Sequence, residues 1–295
     1  MKPITVFTPT YNRAYILGKC YESLKRQTCK DFVWLIIDDG STDNTEELVR
    51  GWMAQDNGYE IRYICKENGG LHTGYNAAIA AMDTELSVCI DSDDSVPDDA
   101  IETILREWEA CRSNERIAGL VGLDYADSGE LIGKLLPEEE QINAATLLCV
   151  PGMGDKKYVV RNDLLRTVAP MPVYPGEKNF NPHYLIIRLS REYCFRPVNR
   201  CFCLVEYQPD GMTANIWKQY VSSPNSFAEL RRVILEVPDM TWKYRFKTAA
   251  HYVASSLMAK KKKILRRSPA KLLTLLAWPA GLAMLALMRY RTRKK

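Results

Sequence analysis

The sequence holds nine cysteines but no CxxC pair and no cysteine–histidine spacing suited to zinc, which excludes a structural zinc site of the usual kind. No GxGxxG motif follows the first apolar run, so dinucleotide-dependent redox chemistry is disfavoured. The opening run Met1-Lys2-Pro3-Ile4-Thr5-Val6-Phe7 is too short in apolar residues for a signal peptide and reads directly as a strand. An odd cysteine count, with Cys65, Cys89 and Cys203 inside strand-like runs, reads as buried thiols in a reducing compartment. A cytoplasmic body is therefore expected. There is no internal repeat.

Acidic residues are missing altogether from Met240 to Lys295, a segment with 15 Lys or Arg. Residues 1–239 carry 25 basic against 36 acidic side chains, so an acidic body is joined to a basic tail. Such a tail seeks an anionic surface. Lys260 to Lys263 and Arg266-Arg267 precede an apolar run from Leu272 to Met288, and Arg289 to Lys295 follow it. At 17 residues, broken by Pro279 and Gly281, the run is short for a bilayer span. Its basic flanks fit an in-plane or re-entrant helix at an anionic membrane, with an amphipathic packing helix as the plainer alternative. Too few aromatics interleave with the basic residues for base stacking, so no nucleic-acid partner is expected.

Apolar β-rich runs at Ile4 to Thr8, Phe32 to Ile37, Ile61 to Cys65 and Leu86 to Ile90 alternate with helical patterns. The helices fall at Ala14 to Gln27, Asn44 to Gln55, Thr73 to Met82 and Asp98 to Cys111. The alternation predicts βαβ units, an α/β fold and a mostly parallel sheet flanked by helices. Further on, strands are expected at Ala118 to Asp124, Tyr158 to Arg161 and Cys201 to Tyr207, with helices at Asn143 to Val150, Asn162 to Val168 and Tyr184 to Arg191. The expected organisation is an α/β domain over 1–210, with halves 1–125 and 126–210. A helical extension over 211–259 and the tail over 260–295 follow, with a turn at Pro209-Asp210-Gly211.

Ligands of parallel sheets bind beyond the carboxyl ends of the strands. The polar segments there are Thr8 to Asn12, Asp38 to Asp43, Asn68 to His72 and Asp91 to Asp94. Asp91-Ser92-Asp93-Asp94 packs three carboxylates into four residues, whose repulsion must be offset by water, a basic partner or a hard divalent cation. A solvated turn that caps the next helix is the alternative. Together the four segments offer an aromatic face, amide and hydroxyl donors, a carboxylate for a base edge and a cation site. That equipment suits a nucleotide diphosphate.

Thr8-Pro9-Thr10-Tyr11-Asn12, Ile36 to Asp43, Asn68-Gly69-Gly70 through Asn76 and Asp91-Ser92-Asp93-Asp94, in this order, resemble a family 2 glycosyltransferase of GT-A fold. The match is strong over about residues 1–125 and fades towards 210. The resemblance implies an inverting transfer of sugar from a nucleotide sugar, commonly a UDP sugar, to a hydroxyl acceptor. It implies that Tyr11 stacks on uracil, that Asp39 reads the base edge, and that Thr8 and Pro9 shape the same wall. Lys66, Asn68 and His72 match the loop near the nucleotide, although Lys66 also reads as a solvated charge and His72 as a satisfied loop histidine. Asp91 matches a position near the ribose with Ser92 beside it, and Asp93 and Asp94 match the residues that hold Mn²⁺ or Mg²⁺. The general base of the family falls near Pro175 to His183, where the usual paired acids are absent; Glu177 is the first choice and His183 the rival. Cell-surface polysaccharide synthesis on a saccharide or lipid-linked acceptor is the expected setting. A polyprenyl-phosphate sugar synthase and a non-catalytic nucleotide-sugar-binding protein are the alternatives.

Overall fold

A computed structural model describes residues 2–206 and 216–293. Seven strands form one sheet in the order β3-β2-β1-β4-β6-β5-β7. They are β1 (Ile4–Thr10), β2 (Phe32–Asp38), β3 (Glu60–Cys65), β4 (Leu86–Cys89), β5 (Ile117–Ala126), β6 (Lys156–Arg161) and β7 (Cys194–Val205). β6 is antiparallel to both neighbours and every other pairing is parallel.

The central strands β1 and β2 are buried along their whole length because helices cover both faces. Alternate side chains of one strand therefore enter different cores. Trp34 and Ile36 pack with Ile4 and Val6 beneath α1 (Ala14–Lys25), α2 (Thr45–Met53) and α4 (Ala100–Glu109). Leu35 and Ile37 pack with Phe7 on the opposite face, under α3 (Leu71–Ala81), α5 (Asn162–Val168) and α6 (His183–Leu189). α7 (Ile216–Ser222) and α8 (Pro224–Ile234) follow, and Leu230, Val233 and Ile234 of α8 join that second core.

α9 (Trp242–Met258), α10 (Ile264–Arg267), α11 (Lys271–Leu276) and α12 (Trp278–Arg293) complete the chain. A third, smaller core joins Leu235, Ala249, Tyr252, Ile264 and Ala277. The expected mixed, mostly parallel sheet with a C-terminal helical region is what the structure contains.

Three local expectations are corrected. β7 starts at Cys194 rather than Cys201, because it pairs along β5 with register shifts that accommodate a polar, irregular sequence. The helix expected at Asn143 to Val150 is a shorter 3₁₀ helix over 144–149. Cys65, at the end of edge strand β3, is exposed, whereas Cys203 is buried. The turn expected at Pro209-Asp210-Gly211 lies outside the described residues.

The strand order reverses direction between β1 and β4, the switch point where adjacent loops part to leave a crevice. The loops after β1, β2, β3 and β4 all emerge at this edge.

Candidate active site

Hydrogen bonds fasten the loops after β1 and β2 into one wall. The Asn12 amide N–H donates to Ser41 Oγ at 2.8 Å, and Asn12 Oδ1 accepts the Thr42 amide N–H at 2.7 Å. Asn12 has φ of 52°, a left-handed conformation that asparagine tolerates better than most residues. The Ala14 amide N–H reaches Asp43 Oδ2, and Asp38 Oδ1 accepts from Ser41. These bonds leave Tyr11 47% exposed at the rim, a flat ring available for stacking. Thr8 does not share that position: it is fully buried, and its hydroxyl accepts the Trp34 indole N–H at 2.9 Å. Its expected place in the ligand wall is corrected, since side chains alternate and Thr8 points into the core. Pro9 is buried against α3, where a Cβ on Gly74 would lie 3.4 Å from Pro9 Cβ.

Asp39 is the hub of the next loop. Its carboxylate accepts the Gly69 and Gly70 amide N–H groups at 3.0 and 2.7 Å, the Thr73 hydroxyl and the Lys66 ammonium. Its carbonyl accepts Asn68 Nδ2 at 2.8 Å. Lys66 is thus not a free solvated charge; it also donates to Thr73 Oγ1 at 2.8 Å. Gly70, at φ 92°, is required: a Cβ there would lie 2.0 Å from the Lys178 carbonyl oxygen. The Lys178 ammonium in turn donates to Asn68 Oδ1, so the loop after β3 abuts the segment that carries Glu177.

His72 is corrected on two counts. It is fully buried rather than turned to a ligand, and neither ring nitrogen has a partner among the described residues. Burial lowers its pKa, with Asp39 acting in the opposite direction.

The acidic turn divides sharply. Asp91 is exposed and Asp93 half-buried, and neither makes an ion pair among the described residues. Burial, followed by the charge of Asp91, raises the Asp93 pKa. Two neighbouring carboxylates, with only the longer-range charges of Arg13 and Lys157 acting on Asp93, suit a hard divalent cation. Ser92 is buried between them.

Asp94 faces the other way. It is 4% exposed, with Oδ2 3.4 Å from both the Lys157 ammonium and the Cys203 thiol. Burial raises its pKa to about 7 with Lys157 pulling the other way, so this expected cation ligand is already engaged by a lysine from β6. Burial opposes the charge on Lys157, but Cys203, Asp124, Asp94 and Asp91 outweigh it and hold the ammonium protonated. Asp124, across on β5, is buried with Oδ1 unpartnered, and burial raises its pKa to about 6.

Glu177 is no free base either. Its carboxylate accepts the amide N–H groups of Asn225 and Ser226 at 2.8 Å each, with Asn225 Nδ2 at 2.9 Å and Ser226 Oγ at 2.6 Å. It caps the start of α8, where orphan N–H groups and the helix dipole favour an anion. The sequence gives no sign of this, because the partner lies 48 residues downstream.

His183 opens α6, its ring edge-on to Tyr158 with centroids 5.3 Å apart. Its Nε2 is enclosed and without a partner among the described residues, and burial depresses its pKa to about 4 against the pull of Asp155. Its imidazole is neutral at physiological pH. Tyr158 lies in β6, where it pairs with Val121 of β5.

Residues 5–114 match the family model described as glycosyl transferase family 2. They form a domain of that family. The glycosyltransferase GlyG of Streptococcus pneumoniae serotype 4 is 33% identical over 125 residues, covering 42% of this chain and 41% of that protein. A Campylobacter jejuni GalNAc(5)-diNAcBac-PP-undecaprenol beta-1,3-glucosyltransferase is 24% identical over 248 residues, 79% of this chain and 74% of its own length. The chain thus spans less than half of GlyG and about three quarters of the Campylobacter enzyme. Among solved structures, S. aureus TarS 1-349 in complex with UDP-GlcNAc superposes with a TM-score of 0.65 at 15% identity, covering 99% of this chain and 92% of that one. The fold is GT-A.

Within this family 2 domain the four sheet-edge segments converge as the sequence predicts. What sequence reasoning missed is Lys157. It stands next to Lys156 at the start of β6, 63 residues from Asp94, and only the antiparallel insertion of β6 beside β4 brings the two together.

Proposed function

We propose that the chain is an inverting glycosyltransferase that moves a sugar from a nucleotide diphosphate donor, of the UDP class, to a hydroxyl of a saccharide or lipid-linked saccharide. The observation that carries it is the meeting of the exposed Tyr11 ring, the Asp39-organised loop and the open Asp91/Asp93 pair at one sheet edge. Relatives support the donor and acceptor classes: TarS is described with UDP-GlcNAc, a Pyrobaculum calidifontis mannosyltransferase of TM-score 0.54 with GDP-Man and Mn²⁺, and the Campylobacter enzyme is named for an undecaprenol-linked saccharide.

Tyr11 offers its face to the base, and the Asn12–Ser41–Thr42 bonds hold the adjoining backbone against the β2 loop. Asp39 acts by shaping the Asn68 to Thr73 loop. Asp91 and Asp93 are the residues to hold Mn²⁺ or Mg²⁺, which supplies charge stabilisation for the departing diphosphate. His183 is the remaining candidate to take the acceptor hydroxyl proton, but enclosure of its Nε2 and a pKa lowered to about 4 make it a weak base. Glu177 being committed to α8 also favours a second reading: an acceptor already ionised, such as a lipid phosphate, needs no base.

The basic tail suggests that the enzyme works against an anionic membrane surface, on the cytoplasmic face, in polysaccharide synthesis. Screening nucleotide sugars for slow hydrolysis with and without Mn²⁺ tests the donor and the metal together. Asp93→Ala is expected to abolish the metal-dependent part while leaving the fold intact; undiminished activity would refute the assignment. Transfer to bare polyprenyl phosphate alone would favour the second reading.

A further inference from the structure

α11 and α12 lie over α9, and their inner face is fitted to it. Thr274, Ala277, Gly281 and Met288 are buried there. A Cβ on Gly281 would come within 2.6 Å of the Val253 side chain and 3.0 Å of the Ala250 carbonyl oxygen, so this approach needs glycine. The opposite face is apolar and bare. Leu272 is 71% exposed and Leu276 63%, and Leu275, Leu282 and Leu287 are exposed as well. Within α11 Leu272 lies three and four residues from Leu275 and Leu276, and within α12 the exposed Leu282, Ala283, Ala286 and Leu287 recur at spacings of three and four, so each helix carries an apolar stripe. No charged residue interrupts them between Leu272 and Met288.

An apolar stripe on a water-facing surface marks an interaction site, where isolated exposed leucines do not. Its rim is cationic. Lys260, Lys262, Lys263, Arg266, Arg267 and Lys271 are exposed before it and Arg289 after it; among the described residues none of these forms an ion pair. No described helix is long and apolar enough to cross a membrane, and the inner face is already taken by α9. The free stripe can therefore be covered only from outside.

We propose that α11 and α12 form a lipid-facing platform that seats its leucine stripe in one leaflet of an anionic bilayer, parallel to the surface, while its inner face stays on α9. Charge complementarity selects this occupant. A second copy meeting the stripe symmetrically would set one cationic rim against another in a segment with no acid to neutralise it. Neutral lipid would cover the leucines but leave the rim uncompensated. The platform is also fixed relative to the sheet edge, since α9 packs on α8 and α8 starts at the Glu177 clasp. The inference deepens the membrane partner proposed above and rests on that reading for its purpose.

The test uses the full chain and extruded vesicles of phosphatidylcholine with about one third phosphatidylglycerol. Wild type is expected to float with these vesicles and to bind phosphatidylcholine alone, or the anionic vesicles in about 0.5 M salt, roughly tenfold more weakly. Leu272→Ser combined with Leu276→Ser and Leu287→Ser should weaken vesicle binding at least about tenfold while keeping the circular dichroism and nucleotide-sugar hydrolysis of wild type. Leu135→Ser, at an exposed leucine elsewhere, is the control and should bind as wild type. Three results would each overturn the platform: failure of wild type to bind, undiminished binding by the triple variant, or a wild-type dimer in solution that the triple variant dissociates. Vesicle binding without hydrolysis of any nucleotide sugar would defeat the transfer reading and leave the platform standing.

Discussion

Replacing Glu177 separates a helix clasp from a general base. Its carboxylate receives four donors from Asn225 and Ser226, two of them backbone N–H groups in the first turn of α8, and the side chain is only 6% exposed. Losing an N-terminal cap costs about 0.5–2 kcal/mol. Each buried donor left unpaired adds about 1–3 kcal/mol, although the four bonds share one group and are not additive. Glu177→Ala should therefore lower unfolding stability by about 3–5 kcal/mol. Glu177→Gln keeps one oxygen as acceptor but turns an amide N–H₂ towards donors, and should cost roughly 2 kcal/mol. Urea unfolding measures the stability, and transfer per folded molecule at saturating donor measures the chemistry. A base would instead contribute about 10²–10⁴-fold in rate with no stability term. An unchanged urea midpoint in Glu177→Gln, with transfer reduced more than about a hundredfold, would refute the clasp.

Lys157→Met should destabilise the chain by about 1–3 kcal/mol, because burial already raises the Asp94 pKa to about 7 and without the lysine that buried carboxyl takes up a proton and lacks its partner; adding Asp94→Asn should restore much of the loss, and strictly additive effects in urea unfolding would disprove the pairing. Asp94→Asn should retain Mn²⁺ binding in the presence of UDP, measured by electron paramagnetic resonance, whereas Asp93→Asn should lose it. Chelation of divalent cations should stop transfer, and added Mn²⁺ should restore it. His183 has a folded pKa of about 4, below its ordinary value of 6.5. Between those values the unfolded chain binds more protons, so stability is lost as pH falls from about 6.5 to 4, and His183→Phe should flatten that part of the pH–stability curve. The same variant should slow transfer to a hydroxyl acceptor about 10²–10⁴-fold, and a smaller loss would remove His183 as the base.

The positions of β1 to β4 and of the helices between them were legible because strands buried on both faces are apolar along their length and the intervening helices carry their own period. Boundaries there differ from expectation by a few residues. The start of β7 and the extent of the 3₁₀ segment at 144–149 were misjudged because their sequences are polar or short, so pairing with β5 and packing on the second core decide them.

The same division runs through the site. Sequence alone determined that polar loops with Tyr11, Asp39 and the Asp91 to Asp94 turn follow successive parallel strands, and hence that they share one edge. This follows from strand direction and needs no knowledge of side-chain contacts. It also determined the charge asymmetry between body and tail. Only the tertiary structure decided which carboxylates remain free. Asp94 and Glu177 look as available in the chain as Asp93, but a lysine from β6 balances one and the start of α8 engages the other. Ionic and hydrogen-bond satisfaction is a property of neighbours in space, and here those neighbours lie 63 and 48 residues away.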